Sequence, residues 1–396
     1  MTAIPADYAW DKLGYVQIPT ILSVSSEDKL WAVEHSFSCY QDDCGKYYPF
    51  FAVYSNQSTQ LTHPIIYTYD PYYLGVNSQN DGRNTVSQFF DYRFLVPWQS
   101  VDINANTSEI QLDALGRSIG GSVYGTENNK QTVGFGSVID YPVDMGLTPD
   151  EAISNATTTG YLQQLATIGT TDMFSWMGGV TQQQADHAMK EGWRFLQQHH
   201  LITFSGHIRS RGRVWAYQNR QHPLAQLLAD AEQIPIHSAV LTADNYPETT
   251  DPDDSSKRLQ QTGITVGYSD GFGRAIQLCA LVPEGDAWHR EDGGQVDTTP
   301  IKASERWVVS GRTEYDNKGQ PVRSYQPYFL DSWLFVTDDS IRTNGYSDTL
   351  YYDALGRNIR TVTAKGYLRR ARSYSWFSVA EDENDTAELS EGVRYE

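Results

Sequence analysis

The stretch Tyr351–Arg360 reads YYDALGRNIR, and QLDALGRSIG at Gln111–Gly120 repeats its centre 240 residues earlier. In both, Asp-Ala-Leu-Gly-Arg stands between short apolar runs. An aspartate followed by two residues and a glycine suits a tight turn. The carboxylate accepts backbone N–H groups two residues on, and the glycine takes the positive φ that closes a hairpin. The same grammar recurs in ITVGYSDGFGRAIQ (Ile264–Gln277) and GRTEYDNKGQPVRSY (Gly311–Tyr325). Period-two alternation flanks the turns at Ile110/Leu112, at Ile264/Val266/Tyr268 and, with one slip, at Ile359/Val362. Each segment therefore reads as a β-hairpin.

The expected turn residues are Asp113, Asp270, Asp316 and Asp353, with Gly116, Gly273, Gly319 and Gly356 permitting closure. Arg117, Arg274 and Arg357 are expected to brace neighbouring turns, and Gln320 replaces the arginine in one copy. The last two spacings, 46 and 37 residues, are of one hairpin-repeat order. TYDPYY (68–73), NDGRN (80–84) and DINANT (102–107) extend the pattern toward the N-terminus. Such repeats bury a face only against their neighbours, which predicts continuous sheet.

Composition agrees with a mainly β chain. Tyr (26) and Trp (10) are heavily used while charged residues stand at only 20%, a balance that favours strands over helices. The net charge of -19 argues against binding to a nucleic-acid backbone, which needs Lys/Arg clusters to displace counterions, and against adhesion to anionic membranes. A basic partner or plain solubility fits it better. No run of 18 apolar residues exists, so no membrane insertion by this chain is expected. MTAIPADYAWDKLGY carries neither a basic nor an apolar leader region, so the expectation is synthesis in the cytoplasm without a Sec signal. Three cysteines cannot form a disulfide framework. Cys39 and Cys44 are close enough in sequence to pair, leaving Cys279 within an apolar strand-like run, but free thiols in a cytosolically made protein are the favoured reading.

Four regions are expected: an N-terminal β region of Tyr-Asp hairpin repeats (1–137), a helix-containing insertion (138–239), a C-terminal region of the same repeats (240–380) and an acidic tail (381–396). In the insertion, Thr148 stands three residues before Glu151, a capping-box spacing, and Ala185, Met189, Trp193 and Leu196 fall near helical spacing. One or two helices are expected there, followed by a strand over GHIRSRGRVWAYQ (206–218). TADNYPETTDPDDSSKR (242–258) reads as an acidic loop.

Candidates for chemistry are few. His35, Cys39 and Cys44 are three potential metal ligands, but their spacing is poor for zinc and they lack a fourth partner. His199, His200 and His207 with Arg209, Arg211 and Arg213 form the one basic cluster, either an anion or carbohydrate site or a polar strand face. YYPFF (47–51) and FFDYRFLVPW (89–98) can stack sugars or fill strand core. G-x-S-x-G, G-x-x-x-x-G-K-[ST] and H-E-x-x-H are absent. The repeated Asp/Arg pairs sit at equivalent turn positions, which suits turn-holding better than a pair of catalytic carboxylates. No catalytic, cofactor or metal residue is assigned.

The hairpins resemble Rhs/YD repeats, in which Tyr-Asp-x-x-Gly-Arg marks each turn. YYDALGRNIR matches almost letter for letter, and EYDNKGQPVR keeps Tyr-Asp and Gly. FFDYRFLVPWQSVDINANTSEIQLDALGR, YSDGFGRAIQ, GDAWHREDG, GRTEYDNKGQPVRSYQPYFLDSW and TAKGYLRRARSYSWFSVAEDENDT, in order from Phe89 to Thr386, resemble the C-terminal part of the B component of bacterial insecticidal toxin complexes. The region from Val138 to His237 matches poorly, and residues 1–88 only loosely.

The resemblance implies a curved, shell-like sheet of Rhs/YD-repeat hairpins with a helix-containing insertion. It implies a non-enzymatic structural subunit, contributing wall to a hollow shell around the toxic region of a C-component Rhs protein. The complex would be released from the cell as a secreted toxin. The family's gate to the pore-forming A component belongs to B-component parts not matched here, so that contact is not carried over. Its autoproteolytic aspartates lie in Asp-Pro-x-Gly motifs of the C component, whereas DALG at 113–116 and 353–356 lacks the proline. EDENDT resembles the point where B hands over to C, which implies that the last edge strand pairs with a partner strand. The alternative is a YD-repeat module that binds carbohydrate or a cell surface.

Overall fold

The computed structural model describes residues 15–17, 31–33, 37–39, 54–56, 65–127, 131–156, 164–247 and 260–387. His35, Cys44, YYPFF and residues 248–258 of the acidic loop lie outside the described residues, as do the side chain of Cys39 and residues 388–396 of the tail. The fold is mainly β, with helices set between strands. The chain divides into two compact units, residues 1–143 with 164–166, and residues 144–163 with 167–396.

The first unit is an antiparallel meander. Ile65–Tyr69, Val76–Asn80, Thr85–Asp91, Val96–Val101, Thr107–Leu112 and Ser118–Glu127 each pair with the next. The last also pairs with Gln131–Gly134. Each strand returns beside the previous one because the turns contain only a few residues, too few for a parallel crossover.

In the second unit Thr167–Asp172, Ile236–Ala243, Thr262–Ser269, Ala275–Val282, Arg306–Ser310 and Tyr328–Leu330 pair in that order. The expected alternation at Ile264, Val266 and Tyr268 points inward, and all three are at most 3% exposed. Ala239, Leu241, Cys279, Trp307, Val309 and Leu330 bury beside them. A separate six-stranded sheet runs Thr313–Tyr315, Pro321–Tyr325, Ser347–Tyr352, Asn358–Val362, Leu368–Ser373 and Ser378–Glu381.

Six α-helices occur among the described residues: α1 (Pro149–Ala156), α2 (Gln182–Ala188), α3 (Gly192–Gln198), α4 (Ser210–Gln218), α5 (Pro223–Asp230) and α6 (Asp338–Asn344). Thr148 and Glu151 cap α1 reciprocally: the Glu151 N–H donates to the threonine hydroxyl at 3.3 Å, and the Thr148 N–H to the carboxylate at 3.1 Å. The expected run from Ala185 to Leu196 is two helices, broken where Glu191 takes a left-handed φ of 59°.

Residues 206–218 correct the sequence reading. The expected strand is largely helix α4, with Gly212 and Ala216 buried four residues apart behind buried Ile208. Alternation of Arg and small residues imitated a strand there. What decides the helix is close packing, since a Cβ at Gly212 would overlap the Leu201 carbonyl oxygen. Helices α2 to α5 enclose Val180, Ala185, Leu196, Leu201, Ile208, Leu224 and Leu228 in a lobe with its own core. Each fully buried leucine there contributes about 1.5–3 kcal/mol.

Candidate functional site

The repeated turn is the structural device the sequence singles out. At Asp113 the N–H donates to the Arg117 carbonyl at 2.9 Å and the Gly116 N–H returns to the Asp113 carbonyl at 3.2 Å. This is a three-residue hairpin loop whose third residue must take the left-handed conformation. Gly116, Gly273, Gly319 and Gly356 do so, with φ of 80°, 77°, 81° and 82°. One aspartate oxygen then accepts two backbone N–H groups. For Asp353 these come from Leu355 and Arg357, both at 2.9 Å. Asp113, Asp270 and Asp316 accept the equivalent pairs.

Each arginine lies against the aspartate of its own turn. Nε of Arg117, Arg274 and Arg357 donates to the second carboxylate oxygen at 2.7, 2.6 and 2.7 Å. Burial works against the charge at Asp113 and Asp270, but the N–H groups and guanidinium of the paired arginine outweigh it and hold both carboxyls below the usual range. At Asp353 the Arg357 N–H is the largest cause of the same downward shift.

Successive turns also touch. The Arg274 guanidinium lies over the Tyr315 ring at 4.4 Å, and the Tyr315 hydroxyl donates to the Ala275 carbonyl at 3.1 Å. Gln320 forms no ion pair with Asp316. Its amide instead crosses to the next turn and donates to the Gly356 carbonyl at 3.0 Å. In the first unit the ring of Phe94, from the turn at Asp91, packs against Gly116.

Other turns repeat the backbone pattern without the Asp-x-x-Gly signature. Thr203–His207 and Thr363–Tyr367 carry it, with Gly206 and Gly366 at φ of 91° and 81°. There the threonine hydroxyl accepts the N–H four residues on, at 3.0 and 3.1 Å. Glu291–Gln295 shares the backbone pair. A search for Thr-x-x-Gly beside Asp-x-x-Gly finds the threonine turns. In DINANT, Ala105 occupies the left-handed position at φ 63°. Sequence reading also passed over Glu109, which looks like an outward polar residue in TSEIQL. It is 2% exposed, and its carboxylate accepts from Gln99, Tyr124 and Ser137 side chains at 2.7 Å and from the Val138 N–H at 3.0 Å.

The basic cluster does not converge on one site. Arg213 donates to the carbonyls of Leu228, Met177 and Ala231, while His207 bonds Asp172 at 2.9 Å and Ser205 at 3.0 Å. His199 stacks on Phe195. Cys279 is buried, and burial pushes its thiol up to about 12. No group of three metal-ligating side chains occurs among the described residues. No described helix is long and apolar enough to cross a membrane.

No protein-family model matches the sequence, and no match to a curated protein reaches significance. Solved structures do match. The chain is similar to a chain of the Photorhabdus luminescens Tc holotoxin pore, with 34% identity and a TM-score of 0.79 over 99% of its length. It is 35% identical to the TcdB2-TccC3-TEV and TcdB2-TccC3-Cdc42 crystal structures, with TM-scores of 0.79 and 0.78 over 100% and 98% of its length. The chain belongs to the Rhs/YD-repeat family of Tc toxin B components. It spans 18% of each of those solved chains. The stacked turns at Asp270, Asp316 and Asp353 fall within the matched stretch.

Proposed function

We propose that this chain contributes wall to a hollow Rhs-repeat shell that encloses a toxic effector carried by a C-component partner, and that it performs no catalysis itself. The observation that carries the reading is the 34–35% identity to TcdB2-TccC3 and holotoxin chains over essentially the whole length. On this reading Asp113, Asp270, Asp316 and Asp353 hold turns, their glycines permit them, and the residue after each glycine ties a turn to its own aspartate or to a neighbour. The turn carboxylates are already engaged by N–H groups and, at three of the four, by a guanidinium, which leaves them little capacity for acid–base work. An exposed sheet edge at Ser378–Glu381 suits a strand from the C-component partner. Released as part of a secreted complex, the shell would keep the effector apart until delivery.

Co-expression with a C-type Rhs protein, followed by size-exclusion chromatography and limited proteolysis, tests this. Co-elution with a protease-protected cargo region is expected. A soluble chain that ignores the partner would overturn the reading.

A further inference from the structure

A cleft of about 270 Å³ opens in the second unit beside the hairpin Gly285–Arg290/Val296–Ala303, lined by Asp286, Trp288, Gln326, Pro327, Tyr328 and Tyr346 among others. Trp288 and Tyr328 stack with ring centroids 5.4 Å apart and planes 22° from parallel. Tyr346 is 71% exposed. The Gln326 N–H donates to the Tyr346 carbonyl at 2.8 Å, which joins the two segments that carry these side chains. The Gln326 carboxamide makes no hydrogen bond among the described residues. Asp286 pairs with Lys302 at 2.8 Å, and both side chains are mostly exposed.

We propose that this cleft binds a neutral pyranose sugar. A pyranose presents an apolar C–H face and a rim of hydroxyls, which suits aromatic walls beside a few polar groups. The unspent carboxamide offers donors and an acceptor to adjacent hydroxyls. The Asp286–Lys302 pair serves the same chemistry. A lone carboxylate would select a cation, whereas Asp286, neutralised by Lys302, keeps lone pairs for hydroxyl donors. A proline-rich peptide also favours aromatic grooves, but its backbone offers mainly carbonyl acceptors and leaves the Asp286 lone pairs unmatched. An acidic sugar is disfavoured by the chain's net charge of -19.

The test is a neutral-glycan array probed with the full chain, followed by titration of the best ligand using tryptophan fluorescence. Saturable binding is expected. Tyr346→Ala should weaken it about tenfold or more while leaving the circular dichroism spectrum unchanged, and Gln326→Ala should weaken it in the same direction. The proposal is overturned by an array with no saturable ligand, or by binding that survives both substitutions. A decaproline peptide that binds where no glycan does would also overturn it. None of these outcomes bears on co-elution with a C-component partner.

Discussion

The six-stranded sheet between Thr313 and Glu381 and the helical lobe between Val180 and Ala231 belong to the same unit, yet different forces hold them. The lobe encloses a core in which Ala185, Leu196, Leu224 and Leu228 are fully buried. The strands Ser347–Tyr352 and Asn358–Val362 contain no buried residue. Their register is set at the ends, by turns whose side chains bond their own backbone. Local chemistry thus specifies how a hairpin repeat folds, while burial has to come from what packs beside it. A lobe with a core needs no such neighbour.

Loss of that core is the strongest way to break the symmetry between the two regions. Leu196→Ala should destabilise the lobe by about 2–5 kcal/mol. Hydrogen exchange mapped by mass spectrometry should show protection lost across 180–231 and kept across 347–373. Equal loss in both would mean that the two regions unfold as one.

The same substitution placed in the same turn type separates them more finely. Gly206 and Gly273 both have left-handed φ, but their surroundings differ. A Cβ at Gly273 meets nothing within 4 Å, whereas one at Gly206 would overlap the Val180 carbonyl oxygen and press on Trp193. Gly273→Ala should therefore cost about 1 kcal/mol, the conformational strain alone. Gly206→Ala adds overpacking and should cost about 3 kcal/mol. Thermal melts of the two variants read the difference directly, and equal shifts would refute the packing argument.

Acid should distinguish the regions by pH. His237, cross-strand partner of Asp172 at the base of the lobe, is 1% exposed, and its Nε2 has no partner among the described residues. Burial pulls its pKa down, outweighing the Pro235 carbonyl and the Asp172 and Asp150 carboxylates. The unfolded chain then binds a proton near pH 6.5 that the folded chain refuses, so stability falls as pH drops below about 6.5. The turn carboxylates at Asp270 and Asp353 are shifted the other way for an acid, below their unfolded value. Their contribution is complete above about pH 3.9 and is lost only as pH falls further. Hydrogen exchange corrected for intrinsic rate should show strands Thr167–Asp172 and Ile236–Ala243 loosening between pH 7 and 5, while Ser347–Val362 holds. Loosening of both together would show that His237 is not what sets the first window.

The contrast also explains what could be read from the sequence. Asp-x-x-Gly-Arg is a local device, so Asp113, Asp270, Asp316 and Asp353 could be placed from the sequence together with their glycines, and the flanking alternation located strands such as Thr262–Ser269. The lobe was legible only in part. Residues 206–218 fold as they do because Gly212 packs on Leu201 and Ala216 lies in a core built by four helices, none of which a local pattern contains. Glu109 was hidden for a related reason. The donors that make its burial tolerable come from Gln99, Tyr124, Ser137 and Val138, up to 29 residues away. The aromatic cleft draws Trp288, Tyr328 and Tyr346 from separate segments and has no local signature either.

The smallest effect concerns why DALGR is written twice when Thr-x-x-Gly closes the same loop. In the turn at Thr363 the hydroxyl accepts one N–H, from Tyr367, and no ion pair follows. At Asp353 the carboxylate accepts two N–H groups and a guanidinium. Asp353→Thr keeps the bond to the Arg357 N–H and gives up the one to Leu355 and the ion pair. Arg357 is 51% exposed on its side chain, so water and screening take most of the ion pair's value. The freed Leu355 N–H also reaches water. The cost should therefore be smaller than that of Gly273→Ala, and high salt should shrink it further. A denaturation midpoint shift as large as that of Gly273→Ala would mean that Asp353 supports more than its own turn. A smaller shift would mean that aspartate is favoured for the sum of many small terms along a stack of turns, a sum that one substitution barely reveals.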